Sequence, residues 1–241
     1  MPPRKTKRSR TLAPDPAELV PPGPDMVVSS VRLIGTDGSS AAISVERVRV
    51  ARVDALETRR LGVESGVPWT AELANRVYAA AKRHAAAKHA LRLIGVGQRS
   101  RSDLKRRLMR SGHSEADALA AVDRLAEAGI VDDEALASRL AENLAMCHRL
   151  GPRGIEHKLR RKGLPMDLAR QVSTRALEHA DTAEMAAALA RKRIGQMARL
   201  ESNVIQRRLF GFLIRRGFSV DDARRAVEAA LSELTRNEEL H

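Results

Sequence analysis

Hydrophobic positions near the start of the chain follow a period of two. Residues 27–35 and 41–50 are rich in β-branched side chains and alternate apolar with polar positions, and residues 36–39 between them place Asp-Gly at a turn. This pattern predicts a β-hairpin, with a short third strand near residues 52–55. Because an isolated hairpin is only marginally stable, we expect this module to pack on the helix that follows it.

From Thr70 onward, apolar residues recur at spacings of three and four, which is typical of amphipathic helices. Thr70 is suited to cap a long first helix that runs to about Ile94, with Gly95 and Gly97 breaking it. Capping residues and prolines predict seven further helix starts, at Ser100, Ser114, Asp132, Pro152, Pro165, Asp181 and Ser219.

These helices group into three tandem units of three, which is the pattern of a repeat protein. The predicted domains are a β-hairpin and short-helix module at residues 26–69, then helical repeats at 70–129, 130–180 and 181–241. The predicted fold class is mostly α, with three helix-turn-helix-like repeats in an elongated array. Residues 1–25 are rich in proline and basic residues, which predicts a disordered basic tail.

One basic segment recurs once in each unit. It reads RSRSDLKRRLMRSG at residues 99–112, GPRGIEHKLRRKG at 151–163 and VIQRRLFGFLIRRG at 204–217. Each copy predicts a helix that ends at its final glycine. In the first copy, Ser100 and Asp103 have the spacing of a capping box. Aligning the glycines superposes six apolar residues that we expect to be core, namely Leu104, Leu108, Ile155, Leu159, Leu209 and Leu213.

The charge indicates what kind of partner the chain has. The formal net charge is +13, and the three basic helices together account for the whole excess. Such clustering favours a polyanionic partner, with nucleic acid ahead of a membrane or an acidic protein. Lysine and arginine would contact phosphates without reading sequence. A charged surface that only keeps the protein in solution is the alternative that the charge leaves open.

The sequence contains few signs of a catalytic, metal-binding or cofactor-binding site. His84 and His89 are five residues apart, whereas two metal ligands on one helical face need a spacing of three or four. Residues 95–97 (GVG) lack the Lys and Ser/Thr of a phosphate loop. We therefore expect no enzyme activity, no metal and no cofactor. Cys147 is the only cysteine, which excludes an intrachain disulfide and fits a reducing compartment. We also expect no membrane span and no secretory signal.

The repeated units resemble the RecX family of bacterial proteins, which regulate the RecA recombinase. The resemblance rests on the basic segments at residues 99–112 and 151–163, on GIVDDEALASRLAEN from Gly129, and on FLIRRGFSVDDARRAV at residues 212–227. It covers about residues 73–234, and the motifs occur in the family's order. The family usually has an aromatic residue after the Asp-Asp pair, where this chain has Ala-Leu-Ala.

The resemblance implies a non-enzymatic regulator that binds the RecA filament on single-stranded DNA and suppresses ATP hydrolysis and strand exchange. It also implies a location in the bacterial cytoplasm, and we expect a monomer that does not bind membranes. The candidate contacts to RecA or DNA are the basic residues of the three helices: Arg101, Lys105, Arg106, Arg110, Arg153, Lys158, Arg160, Arg161, Lys162, Arg207, Arg208, Arg215 and Arg216.

Several alternatives stay open at this level. Arg110, Arg161 and Arg215 stand in the last turn of their helices, where a cation also stabilises the helix dipole. One of Phe210 and Phe212 is expected to face outward. The acidic residues Asp132, Asp133, Glu134 and Glu142 either meet basic groups of RecA or serve as helix caps. The whole chain is alternatively an independent DNA-binding protein, such as a transcription regulator, or a helical scaffold.

Overall fold

The structure is a computed structural model that describes residues 20–36, 38–197 and 200–239. Most of the predicted tail, residues 1–19, lies outside the described residues, as do Asp37 of the predicted turn and residues 240–241. The chain divides into two compact units. One unit contains the residues up to 93 together with 108–124, and the other contains residues 94–107 together with those from 125 onward.

The first unit begins with a three-stranded antiparallel sheet. Its strands are β1 (Val28–Ile34), β2 (Ser40–Val45) and β3 (Val48–Asp54), in the order β1-β2-β3. The hairpin prediction is confirmed, but the prediction of one strand over residues 41–50 is wrong. The chain turns at Glu46 and Arg47, so that Val45 pairs with Val48.

The unexpected turn has backbone angles that its residues rarely adopt. Glu46 and Arg47 have φ of 49° and 66°, a conformation that Asn and Gly usually supply in two-residue turns. The Arg47 amide donates a hydrogen bond of 2.9 Å to the Ser29 hydroxyl. Because this partner lies on β1, the local sequence contains no signal for the turn.

The sheet and the long helix after it share one hydrophobic core. Helix α1 (Ala55–Arg60) follows β3, and α2 (Ala71–Val96) continues two residues past the predicted end. Trp69 is fully buried and meets the Tyr78 ring edge-on with centroids 5.8 Å apart. Leu73, Ala74, Val77 and Ala80 of α2 belong to the same core as the strands, which fulfils the expectation that the module packs on this helix.

The rest of the described chain is helical, so the mostly α fold with three-helix groups is confirmed. The remaining helices are α3 (Arg101–Arg110), α4 (Glu115–Glu127), α5 (Asp133–Met146), α6 (Pro152–Arg161), α7 (Met166–Ala176), α8 (Thr182–Ile194), α9 (Ser202–Arg215) and α10 (Val220–Glu239). Helices α5–α7 enclose one small core, and α8–α10 enclose another.

Side chains cap most of these helices where the sequence predicts them. The Thr70, Ser100, Ser114 and Ser219 hydroxyls each accept from the backbone amide three residues on, and the Asp132 and Asp181 carboxylates do the same. Each satisfies an amide that the first helical turn leaves without a partner. The predicted terminal glycines, Gly112, Gly163 and Gly217, adopt φ of 94°, 84° and 88°.

Candidate functional site

The three basic helices α3, α6 and α9 bury equivalent residues. Leu104, Leu108, Ile155, Leu159, Leu209 and Leu213 all have 0% exposure, which confirms their assignment to the core. Burial of this stripe turns the intervening Arg and Lys side chains toward solvent. The repeat in the sequence is therefore a repeat of one packed face and one cationic face.

The end of α9 meets the start of α6 through the backbone. The Gly151 amide donates to the Arg216 carbonyl at 3.0 Å, and the Arg153 amide donates to the Gly217 carbonyl at 3.2 Å. A Cβ on Gly217 would lie 1.8 Å from the Gly154 nitrogen. Only glycine therefore fits at this joint.

The end of α6 meets the start of α3 through one hydroxyl. Ser100 Oγ donates to the Lys162 carbonyl at 2.7 Å and accepts from the Asp103 amide at 3.1 Å. The two joints connect the basic helices end to end in the order α9, α6, α3, and we call this arrangement the basic row. At each joint the negative end of one helix dipole meets the positive end of the next, which weakens the dipole explanation for Arg161 and Arg215.

Eleven of the thirteen predicted contact residues are exposed, and Lys105 and Arg216 are half-buried. The structure gathers eight of the thirteen around three cavities. Arg106, Lys158, Arg161 and Lys162 line a cavity of about 510 Å³ between α3 and α6, which we call the α3–α6 cavity. Arg207, Arg208 and Arg215 line a second cavity of about 490 Å³, and Arg216 lines a third of about 340 Å³. Five predicted residues line none of these cavities, namely Arg101, Lys105, Arg110, Arg153 and Arg160.

Asp103 neutralises part of the α3–α6 cavity. Its carboxylate accepts from Arg107 Nε at 2.7 Å, from Arg99 at 3.4 Å and from Arg106. Burial raises the pKa of Asp103, but the hydrogen bonds and positive charges of Arg107 and Arg106 outweigh burial and hold the pKa below its ordinary value. The sequence indicated Asp103 only as a capping partner and missed Arg99 and Arg107 as cavity residues.

The second and third cavities meet at Phe212. The guanidinium carbons of Arg193 and Arg216 lie 5.2 Å and 5.1 Å from the centroid of its ring, which is within the range of cation–π attraction. Phe212 and Phe210 are both half-buried. The sequence missed Arg193, although Arg191, Lys192 and Arg193 form a basic run at the end of α8.

Two of the acidic residues act as helix caps. Asp132 accepts from the Ala135 amide at 2.9 Å and starts its own helix, α5. Asp133 reaches across to α3 and accepts from the Arg101 amide at 2.9 Å. Burial is the main cause of its raised pKa, and the neighbouring Asp132 carboxylate adds to the shift. Glu134 and Glu142 are exposed.

The described residues offer neither a metal-ligand cluster nor a membrane-spanning helix. Residues 20–36, 38–197 and 200–239 contain no cluster of three or more His, Cys, Asp or Glu side chains arranged to hold a metal ion. Within the same ranges, no helix has the length and apolar character needed to cross a membrane.

Comparison with known proteins identifies the family. The family model described as "RecX, third three-helix domain" matches residues 180–227. The regulatory protein RecX of Mycolicibacterium vanbaalenii is 32% identical over 151 residues, which cover 59% of this chain and 80% of that protein. The chain belongs to the RecX family. Regulatory protein RecX of Thermobifida fusca is also 32% identical, over 58% of this chain and 76% of its own length.

Solved RecX structures share the fold. One crystal structure of a regulatory protein RecX superposes with a TM-score of 0.69 at 18% identity, covering 86% of this chain and 99% of its own. RecX from Lactobacillus salivarius gives a TM-score of 0.50 over 64% of this chain. The matched RecX domain at residues 180–227 contains α8 and α9, and therefore includes Phe212 and both arginines at its ring.

Proposed function

We propose that this RecX-family protein is a non-enzymatic regulator of the RecA recombinase in recombination and DNA repair. It binds the RecA filament on single-stranded DNA and suppresses ATP hydrolysis and strand exchange. Membership of a family of regulatory proteins is the observation that carries this proposal. The protein acts as a monomer in the bacterial cytoplasm, and any ATP hydrolysis that it changes is that of RecA.

The basic row supports the proposal because it joins the three cationic helices end to end. Arg161 and Arg215 are both exposed, and each lines a cationic cavity. Guanidinium groups bind phosphates and carboxylates through paired hydrogen bonds, so these side chains suit either component of a nucleoprotein filament. Contacts of this kind position the protein without selecting a DNA sequence, as a filament regulator requires.

The direct test is the ATPase activity of RecA on single-stranded DNA, titrated with this protein in low salt. We expect the ATPase rate to fall as the protein is added. The protein alone should hydrolyse no ATP. An unchanged RecA rate at every stoichiometry would contradict the proposal.

The role of the basic row is tested by the double variant Arg161→Glu, Arg215→Glu. We expect weaker filament binding, with the slope of log K against log salt reduced by about 0.7 to 0.9 for each lost phosphate contact. The matched control is Arg170→Glu, Arg175→Glu, which changes the same charge at exposed positions of α7 outside the row. Equal loss in both double variants would mean that only net charge matters.

The same experiments distinguish the proposed function from the two other functions that the sequence left open. Sequence-specific binding to duplex DNA without RecA would favour an independent DNA-binding protein. Partner binding that survives charge reversal at Arg161 and Arg215 would favour a helical scaffold.

A further inference from the structure

We propose that the cationic surface around Phe212 is a binding site for neighbouring phosphates of a nucleic-acid strand, and that it works without RecA. This Phe212 surface consists of one aromatic ring and the basic side chains of the two cavities beside it: Arg149, Lys192, Arg193, Arg207, Arg208, Arg215 and Arg216. The inference depends on the proposed function in one respect. It takes the ligand to be the nucleic-acid component of the filament.

Two cavities give the surface room for two anionic groups. One has about 490 Å³ and the other about 340 Å³, and both are lined by Arg193, Gln196 and Phe212. Arg193 and Phe212 thus form a shared wall that both bound groups would touch. Consecutive phosphates of a strand are anions joined at a short, fixed spacing, which matches adjacent cavities better than a single free anion does.

Phe212 holds two of the guanidinium groups in place. Both guanidinium groups lie over the ring, and each is held by a further hydrogen bond: Arg193 donates to Gln196 Oε1 at 3.1 Å, and Arg216 donates to the His148 carbonyl at 2.5 Å. An arginine has five N–H donors, so each retains several for a ligand. Fixing the side chains in advance lowers the entropy cost of binding, and guanidinium forks match the geometry of phosphate oxygens.

The positive charge of this surface is not compensated. Among the described residues that line the two cavities there is no Asp or Glu. Within the part of the chain that the structure describes, Arg207, Arg208 and Arg215 form no ion pair. The α3–α6 cavity differs in this respect, because its Asp103 already binds three arginines.

The lining also contains apolar side chains that a nucleic-acid strand would use. Met197 and Leu200 line the larger cavity, and Leu200 is 37% exposed. Every nucleotide of a strand presents an apolar sugar and base face beside its phosphate, whereas the charged side chains of an acidic peptide add only one or two methylene groups each. We therefore assign the surface to a nucleic-acid backbone, and an acidic protein becomes the alternative outcome of the test.

The test is fluorescence anisotropy with a labelled oligothymidylate of about twenty nucleotides, without RecA. We expect Arg193→Gln, Arg207→Gln to lose about tenfold or more in affinity, since each substitution removes a charge-assisted hydrogen bond to a phosphate. Its salt slope should fall by about 0.7 for each lost phosphate contact. The matched control, Arg170→Gln, Arg175→Gln, removes the same charge from α7 and should keep most of the affinity.

A second pair of variants tests the role of the ring. Phe212→Leu keeps every charge, so we expect weaker binding with an unchanged salt slope. Phe210→Leu is the matched control, because Phe210 is half-buried on the same helix but lines a different cavity. Urea unfolding of each variant verifies that the fold is retained. Wild-type affinity in both Arg193→Gln, Arg207→Gln and Phe212→Leu overturns the inference.

Two further outcomes separate this inference from the proposed function. Loss of oligothymidylate binding in Arg193→Gln, Arg207→Gln supports the site even when wild-type protein leaves the RecA ATPase unchanged, and the proposed function alone then fails. Stronger competition by polyglutamate than by unlabelled oligothymidylate of equal charge overturns the inference in favour of an acidic protein partner.

Discussion

The α3–α6 cavity and the Phe212 surface arise from the same repeated segment, yet they differ in how much of their charge is available. The first has about 510 Å³ and contains Asp103, whose carboxylate binds three of its arginines. The larger cavity of the second has about 490 Å³, and none of the described residues in its lining is acidic. The number of basic residues in a repeat therefore does not determine how much of its positive charge is left without an acidic partner.

The two joints of the basic row differ in how closely their backbones approach. The α9–α6 joint brings backbone against backbone through Gly151, Gly154 and Gly217. The α6–α3 joint depends on the Ser100 hydroxyl. The first joint cannot accept any added side chain, whereas the second loses one hydrogen bond when the hydroxyl is removed.

The largest effect is expected from Gly217→Ala. Its new methyl group would overlap the Gly154 backbone, and its φ of 88° disfavours any side chain. We expect a loss of about 3 to 5 kcal/mol in the free energy of unfolding, from overpacking together with left-handed strain. Gly112→Ala is the matched control, because Gly112 has φ of 94° but nothing within 4 Å of its added Cβ. It should lose only about 1 to 2 kcal/mol in urea unfolding. Equal losses would show that the joint is looser than its contacts indicate.

The second effect concerns the charge of the α3–α6 cavity. Asp103→Asn removes the carboxylate that Arg99, Arg106 and Arg107 share, so we expect a loss of about 1 to 3 kcal/mol in the free energy of unfolding. The freed arginines should at the same time bind the oligothymidylate more tightly and steepen its salt dependence. Unchanged DNA affinity would mean that Asp103 does not limit this cavity.

Sequence reasoning succeeded where one helix determines its own structure. The leucine pairs of the basic helices, the caps at Ser100 and Ser114, and the terminal Gly163 all depend on neighbours within a few residues. Periodicity and capping chemistry therefore predicted the helices and the buried faces.

What the sequence did not predict depends on contacts between distant segments. The turn at Arg47 is held by Ser29, and the cation–π contact of Arg193 comes from a different helix than Phe212. The spacing along α3 predicted a capping role for Asp103. In the structure, its carboxylate binds arginines that line the cavity between α3 and α6. A side-chain partner that folding brings close has no signature in local periodicity.

A smaller effect is expected at the hydroxyl joint. Ser100→Ala removes both the α3 cap and the hydrogen bond to the Lys162 carbonyl, for a loss of about 1 to 2 kcal/mol. Ser114→Ala is the matched control, because the Ser114 hydroxyl caps α4 in the same way but donates to the Asp117 carboxylate of its own helix instead of to a second helix. Ser100→Ala should lose about 0.5 to 1.5 kcal/mol more in the free energy of unfolding than Ser114→Ala. This difference measures the contribution of the joint. Equal losses would mean that the hydrogen bond between Ser100 and the Lys162 carbonyl does not stabilise the fold.

The smallest effect is a contrast in acid between two carboxylates near the start of α3. The folded pKa of Asp103 lies below its ordinary value of 3.8, so the folded state binds fewer protons than the unfolded chain in this window. Its stabilisation is complete above about pH 5 and is lost as the pH falls through the folded pKa. The folded pKa of Asp133 lies above 3.8, so its contribution decreases as the pH rises from 3.8 through the folded value.

Urea unfolding of Asp103→Asn and Asp133→Asn between about pH 2.5 and 7 therefore distinguishes the two carboxylates. The stability difference from wild type should grow with rising pH for Asp103→Asn, because only the ionised carboxylate binds Arg106 and Arg107. It should shrink with rising pH for Asp133→Asn, because burial penalises the ionised form. Parallel curves for the two variants would mean that the arginines do not hold Asp103 ionised, and the charge difference between the α3–α6 cavity and the Phe212 surface would lose its cause.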